Sequence, residues 1–190
     1  MIGNDIIDIK LAQLQSNWRR KGYLKKITTV DEQAEIFSSE HQNTTFWLLW
    51  SMKEAVYKIV HRQTKNRSYN PLQLHTEINV QNEAFFEGAV SFNDTTYRTK
   101  SYVHKEYIHT IAAINIEKLS NVQLVIQDAS NYTSQDLGKI LLNTTSVKVY
   151  KDNYQIPYLI NCETGEKIAV SISHHGRFIS MICNKPDEFL

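Results

Sequence analysis

The 190-residue chain has no excess of charge of either sign: 21 basic residues stand against 20 acidic ones. Such a balance supplies no global field for holding a nucleic acid. Cysteine is scarce, and the two present, Cys162 and Cys183, lack metal-ligand spacing; they need not pair, and a reducing cytoplasm is the expected location. No secretion signal and no apolar run long enough to span a bilayer is legible, so no membrane association is expected. The Asn-x-Ser/Thr sequons beginning at Asn43, Asn66, Asn93, Asn131 and Asn143 are then chance products of an Asn/Thr-rich composition. The six glycines form neither a Rossmann nor a Walker pattern, and no repeat or low-complexity segment is visible. The ten tyrosines are expected in core and sheet rather than as a platform for stacked bases.

What the chain does carry is three short pieces that together suggest a site for magnesium and a pyrophosphate. The first is Trp50-Ser51-Met52-Lys53-Glu54-Ala55-Val56-Tyr57-Lys58, within a stretch from Phe46 to His61 that contains no Gly or Pro. This stretch predicts a helix, with Thr44 or Thr45 as its cap. Glu54 and Lys58 then share one stripe, four residues apart. A surface ion pair is the plain alternative, but Trp47, Trp50, Ala55, Val56 and Ile59 leave little of the circumference polar and put the pair at the edge of a core.

The second piece, Ile2-Gly3-Asn4-Asp5-Ile6-Ile7-Asp8-Ile9, sets two acids among isoleucines in a strand pattern. A buried carboxylate needs a cation, a metal or several donors. Asp5 beside Glu54 would offer hard oxygen ligands to Mg2+, which completes its shell with water and phosphates; the equal alternative is that Asp5 caps the following turn. The third piece, Val170 to Phe178, is a strand in which Ser171 and Ser173 share a face and His174 stands at the end. With Arg177 it makes a phosphate-binding corner. Adjacent His174 and His175 point to opposite faces, so a zinc site is not expected.

Gly3-x-Asp5, Trp50-Ser51-x-Lys53-Glu54-Ala55-x-x-Lys58 and Ser171-x-Ser173-His174 resemble, as a set, the 4'-phosphopantetheinyl transferase superfamily. The resemblance implies an enzyme that transfers 4'-phosphopantetheine from coenzyme A to a serine of an apo acyl or peptidyl carrier protein, with Mg2+ at the pyrophosphate and adenosine 3',5'-bisphosphate as the product. Carried over residue by residue, Asp5 and Glu54 match the metal-binding acids. Lys58 matches the lysine at the pyrophosphate, and His174 the histidine on the coenzyme phosphate; Ser173 and Lys53 join the coenzyme-binding set. Glu54 and Lys58 are the catalytic candidates, since attack by a hydroxyl on phosphorus needs charge neutralisation and a proton acceptor. The nucleophile belongs to the partner. The chain departs from the pattern at Ile7, where the longer branch of the family has a third acidic ligand, and at Asn4, where an apolar residue is usual; Asp8 is the candidate replacement ligand. A non-catalytic carrier-binding relative and a different Mg2+-dependent phosphoryl transferase are the alternatives.

The implied fold is α+β, with two similar lobes, each a small antiparallel sheet on a helix, in one chain that forms a pseudo-dimer. Strands are expected over 74–80, 87–92, 97–103, 107–116, 122–127, 146–150 and 157–160, paired strands over 168–183, and a short helix over 134–143. An N-terminal lobe, residues 1–118, would hold the acids and the catalytic helix, and a C-terminal lobe, residues 119–190, the Ser-His motif. In the longer branch the Ser-His segment precedes Gly-x-Asp, whereas here it follows, so the lobes are expected in permuted order. A monomer is expected, with a homotrimer as alternative. Lys10, Arg19, Arg20, Lys21, Lys25 and Lys26 form a basic cluster suited to docking an acidic carrier, or an ordinary solvated face. Lys65 and Arg67 are further candidates for the 3'-phosphate of coenzyme A.

Overall fold

The computed structural model describes residues 1–82, 85–115 and 117–184. In chain order its elements are β1 (Ile2–Asp8), α1 (Ile9–Gln15), α2 (Leu24–Ile27), α3 (Val30–Ser38), α4 (Gln42–Thr64), β2 (His75–Gln81), β3 (Phe86–Phe92), β4 (Thr95–Val103), β5 (Tyr107–Ala113), α5 (Glu117–Ser120), β6 (Val122–Asp128), α6 (Ser134–Leu142), β7 (Val147–Lys151), β8 (Pro157–Asn161), β9 (Lys167–His175) and β10 (Phe178–Asn184). Two antiparallel five-stranded sheets result, in the orders β1-β5-β4-β3-β2 and β6-β10-β9-β8-β7. The α+β class and the two similar halves are as the sequence implies. Each strand lies close to its expected range; Ile116, the expected end of the fifth, lies outside the described residues.

The first sheet is covered by α4, whose Phe46, Leu49, Met52, Val56 and Ile59 are buried against Val90, Tyr97, Ile108 and Ala112. The second is covered by α6, where Leu137 and Leu141 meet Leu159, Val170 and Met181. A smaller cluster, Ile2, Ile111, Ala113 and Ile182, joins the two halves. The helix α4 starts before its expected onset. Neither Thr44 nor Thr45 caps it: the N-cap is His41, and the Thr45 hydroxyl instead bonds back to the His41 carbonyl and Ser39. Helices α1 to α3 and the short α5 were not expected. A legible signal for α3 existed in Thr29-x-x-Glu32, which forms a capping box in which each residue's side chain accepts from the other's backbone N–H.

Strand β1 is buried along its whole length because it lies between the two halves. One edge pairs with β5, with Asp5 opposite Thr110. Among the described residues no strand continues the ladder on the other edge. Its N–H groups are accepted there by side chains of β9: Asn4 by Ser171 Oγ at 3.0 Å, Ile6 by Ser173 Oγ at 3.1 Å and Asp8 by His175 Nδ1 at 3.0 Å. Alternation on β9 brings these three to one face. A buried N–H left without a partner costs about 1–3 kcal/mol, so this side-chain ladder is what allows a sheet edge to be buried at the seam. Arg62 stitches the seam from α4 by donating to the carbonyls of Pro157 and Val170.

Candidate active site

Gly3 sets the depth of the site. A Cβ at this position would fall onto the Ala55 carbonyl oxygen and press on Ile59, so glycine lets β1 run directly against α4. Two residues on, Asp5 projects towards the same helix. Lys58 crosses the junction: its Nζ donates to the Asn4 carbonyl at 2.7 Å and lies 3.7 Å from Asp5 Oδ1. Ser173 donates to the same Asp5 oxygen at 2.9 Å.

Glu54 stands one turn before Lys58. Burial, and after it the negative charge of Asp5, push its carboxyl up to about 7, against an opposing pull from Lys58 and Tyr69. Tyr69 lies edge-on to Trp50, and its buried hydroxyl has no partner of good hydrogen-bond geometry among the described residues. Behind Asp5, His109 is buried against Asn4, its Nε2 3.4 Å from Asn4 Nδ2. Burial, followed by the charge of Lys58, pushes the His109 imidazole down to about 3, which keeps it neutral in the seam.

Beside Lys58 opens a cavity of about 340 Å³ lined by Tyr57, Lys58, His61, Arg62, Arg67, Lys151 and His174, with no carboxylate on its wall among the described residues. Its cations crowd one another: burial and Arg67 push the His61 imidazole down. A larger cavity of about 500 Å³ is lined by Glu87, Lys100, Tyr102 and Leu124. It shares no residue with the acids and offers an ion pair, Lys100–Glu87 at 3.5 Å, rather than uncompensated positive charge, so the smaller cavity is the better receptor for an anion.

The structure thus brings Asp5, Glu54 and Lys58 together and sets His174 on the wall of the adjoining cavity. His174 points away from the face that carries Ser171 and Ser173, because its neighbours on a strand alternate. Of the two basic loop candidates, Arg67 lines the cavity; Lys65 instead lies over the Tyr154 ring. Lys10, Arg19 and Arg20 are exposed; Arg19 lies over Trp18 and donates to Asn43 and Gln42, and Arg20 lies over Tyr23.

Three expectations need correction. Asp8, the candidate third ligand, is an odd number of residues from Asp5 and so faces the other way. Its carboxylate is held by Arg177, with Nε–Oδ2 at 2.8 Å and Nη2–Oδ1 at 2.9 Å, and it caps α1 through Leu11 N. The left-handed Gly176, at φ +56°, opens the two-residue turn that aims Arg177 there. Lys53, assigned to the coenzyme, is buried on the far side of α4 and donates to Glu32, Ile27 O and Pro71 O. Ser173 has its hydroxyl committed to Ile6 N and Asp5, leaving it nothing to offer a phosphate directly. Ile7, in the position of the missing acid, is buried in the core.

The Asp8–Arg177 clamp has a pH signature. The guanidinium holds the Asp8 carboxyl well below its ordinary value of 3.8, so the clamp contributes its full stability above the unfolded-state pKa and loses it as the pH falls through and below that value. Asp8→Asn is expected to lower the melting temperature by several degrees at pH 7, and the gap to wild type should close as the pH is taken below 3.8. Thermal scans of both proteins over that range check this; a gap that does not change with pH would mean the charge contributes nothing.

Sequence reasoning missed Tyr57, His61, Arg62, Lys151 and Tyr69. The first three continue the stripe of Trp50, Glu54 and Lys58 along α4 and were legible by helical spacing. Lys151 and Tyr69 had no local signal, because chain reversal alone brings them in. The sequence profile of the 4'-phosphopantetheinyl transferase superfamily matches residues 1–112, which takes in the whole of β1 to α4 with Asp5, Glu54 and Lys58. None of the curated proteins matches the chain. Among solved structures, the chain is similar to the holo-[acyl-carrier-protein] synthase (AcpS) of Thermotoga maritima, at 9% identity and a TM-score of 0.44, over 87% of this chain and 83% of that one.

Proposed function

Because the chain belongs to the 4'-phosphopantetheinyl transferase superfamily, we propose that it moves the 4'-phosphopantetheine group of coenzyme A onto a serine of an apo acyl or peptidyl carrier protein. The observation that carries this reading is the meeting of Asp5, Glu54 and Lys58, with Lys58 also lining a cationic cavity that has no carboxylate on its wall among the described residues. A nucleotide bearing a pyrophosphate and a 3'-phosphate matches that charge, with Arg67, Lys151 and His174 as its contacts.

Asp5 and Glu54 fit Mg2+. No cluster of three or more His, Cys, Asp or Glu residues suited to an ion exists among the described residues, but Mg2+ commonly takes one or two carboxylates and draws the rest from water and substrate phosphates. The repulsion that raises Glu54 beside Asp5 is what a cation between them would relieve. When bound, Mg2+ supplies charge neutralisation at the pyrophosphate. The carrier serine oxygen attacks the phosphorus that bears pantetheine, and the bond to the bridging oxygen breaks, releasing adenosine 3',5'-bisphosphate. Glu54, whose carboxylate form a bound cation would favour, accepts the serine proton. Lys58 meets the charge that develops on the leaving phosphate.

Both sides of the cavity come from one chain, Lys58 and Arg67 from the first half and Lys151 and His174 from the second, which supports a monomer with its lobes in permuted order; a trimer is the alternative. No helix among the described residues is long and apolar enough to cross a membrane. The free Cys162 and Cys183 suit the cytoplasm as the site of action. The burial of Ile7 favours one other reading, a carrier-binding relative without transfer. Mass spectrometry of a panel of apo carrier proteins incubated with the protein, coenzyme A and Mg2+ separates the two. A phosphopantetheine increment that disappears without metal is the expected result; no increment on any carrier, together with no binding of coenzyme A, would overturn the proposal.

A further inference from the structure

We propose that Ser173 is a positioning residue for Asp5, through which the second half of the molecule orients an acid of the first. A hydroxyl has one proton to donate and two lone pairs with which to accept. In Ser173 an acceptor site is taken by Ile6 N–H at 3.1 Å, and the proton is directed to Asp5 Oδ1 at 2.9 Å. The same oxygen faces Lys58 at 3.7 Å. Oδ1 is thereby committed, the carboxylate is held in one rotamer, and Oδ2 remains as the atom available to a ligand. Ser173 is itself buried, at 6% exposure, so water does not compete for the bond.

Ser171 provides the control within the same strand. It is buried on the same face and accepts from Asn4 N at 3.0 Å, making the same kind of seam contact without reaching a carboxylate. Loss of either hydroxyl leaves one buried N–H of β1 unpaired and lowers stability; loss of Ser173 alone also frees Asp5. Groups that orient a metal-ligating carboxylate typically contribute tenfold to a hundredfold in metal affinity. The inference rests on the proposed metal site at Asp5 and Glu54, and the test separates the failure of one from the failure of the other.

The experiment is a titration of Mn2+ followed by electron paramagnetic resonance, with neither coenzyme A nor carrier protein present, on wild type and on Ser173→Ala, Ser171→Ala, Ser173→Thr and Asp5→Asn, with denaturation midpoints measured in parallel. The expected result is that Asp5→Asn abolishes tight binding, Ser173→Ala weakens it about tenfold to a hundredfold, Ser173→Thr restores it, and Ser171→Ala binds as wild type does although it too is less stable than wild type. Undiminished binding in Ser173→Ala, or an equal loss in Ser171→Ala, overturns the positioning role while leaving the metal site standing. Wild-type binding that survives Asp5→Asn overturns the metal site, and the positioning role with it.

Discussion

Lys53→Met is expected to destabilise the protein by about 3–5 kcal/mol, the cost of breaking a buried ion pair on one side. Lys53 and Glu32 are 1% and 2% exposed and 2.7 Å apart. Burial pulls the Lys53 ammonium down in pKa against the opposing charge of Glu32; it stays paired because all three of its donors are used, by Glu32, Ile27 O and Pro71 O. With Met in its place, two carbonyls and a carboxylate oxygen lose a donor where water is excluded. Glu32 has further duties: it accepts from Thr29 N, Thr76 N and Thr76 Oγ1, so one carboxylate ties α3 to the start of β2. Urea denaturation of the variant should show a lower midpoint with an unchanged slope. Lys53→Met with Glu32→Gln should recover part of the loss, since no unpaired charge then remains. A variant that keeps its stability and loses affinity for coenzyme A would instead return Lys53 to the coenzyme site.

Glu54→Gln is expected to lower phosphopantetheine transfer by about 10²–10⁴, the usual contribution of a positioned general base, while leaving the fold intact. The amide keeps the shape of the carboxylate and removes both the proton acceptor and the charge that faces Asp5. Stability should move the other way. Glu54 titrates at about 7 in the folded chain against 4.5 as a free side chain, so between those values the native state holds a proton that the unfolded state has lost, and stability falls as the pH rises. Metal-free Glu54→Gln should therefore gain on wild type between pH 4.5 and 7. Carrier mass increments read the first effect and denaturation midpoints across that range the second. Full transfer by the variant would move the proton acceptor elsewhere; a flat stability difference would mean that Glu54 is not held in a desolvated, repelled state.

The legible part of this protein was the part carried by short-range spacing. Alternating β-branched residues marked the strands, and a stretch free of Gly and Pro marked α4. Gly3 two residues before Asp5, and Glu54 four before Lys58, were each readable as one face of an element, and the structure joins them. Lys53 shows where such reading stops. It is as basic as Lys58 and sits in the same signature, but five residues along a helix is a rotation of about 140° relative to Lys58, and only the packing of α4 decides which lysine meets the core and which meets the cleft. Asp8 and Ser173 show the same limit on strands: alternation assigns each to a face, yet what that face meets was set by the docking of β9 on β1. The sequence by itself determined the strands, α4 and α6, the pairing of acid and base on α4, and the glycine that lets β1 approach it, because these depend on residues within a few positions of one another. The tertiary structure alone decided that Arg177 occupies Asp8, that Ser173 holds Asp5 and that Lys151 closes the cationic cavity, because each contact joins residues far apart in the chain and forms only when the buried edge of β1 finds its donors and acceptors on the other half.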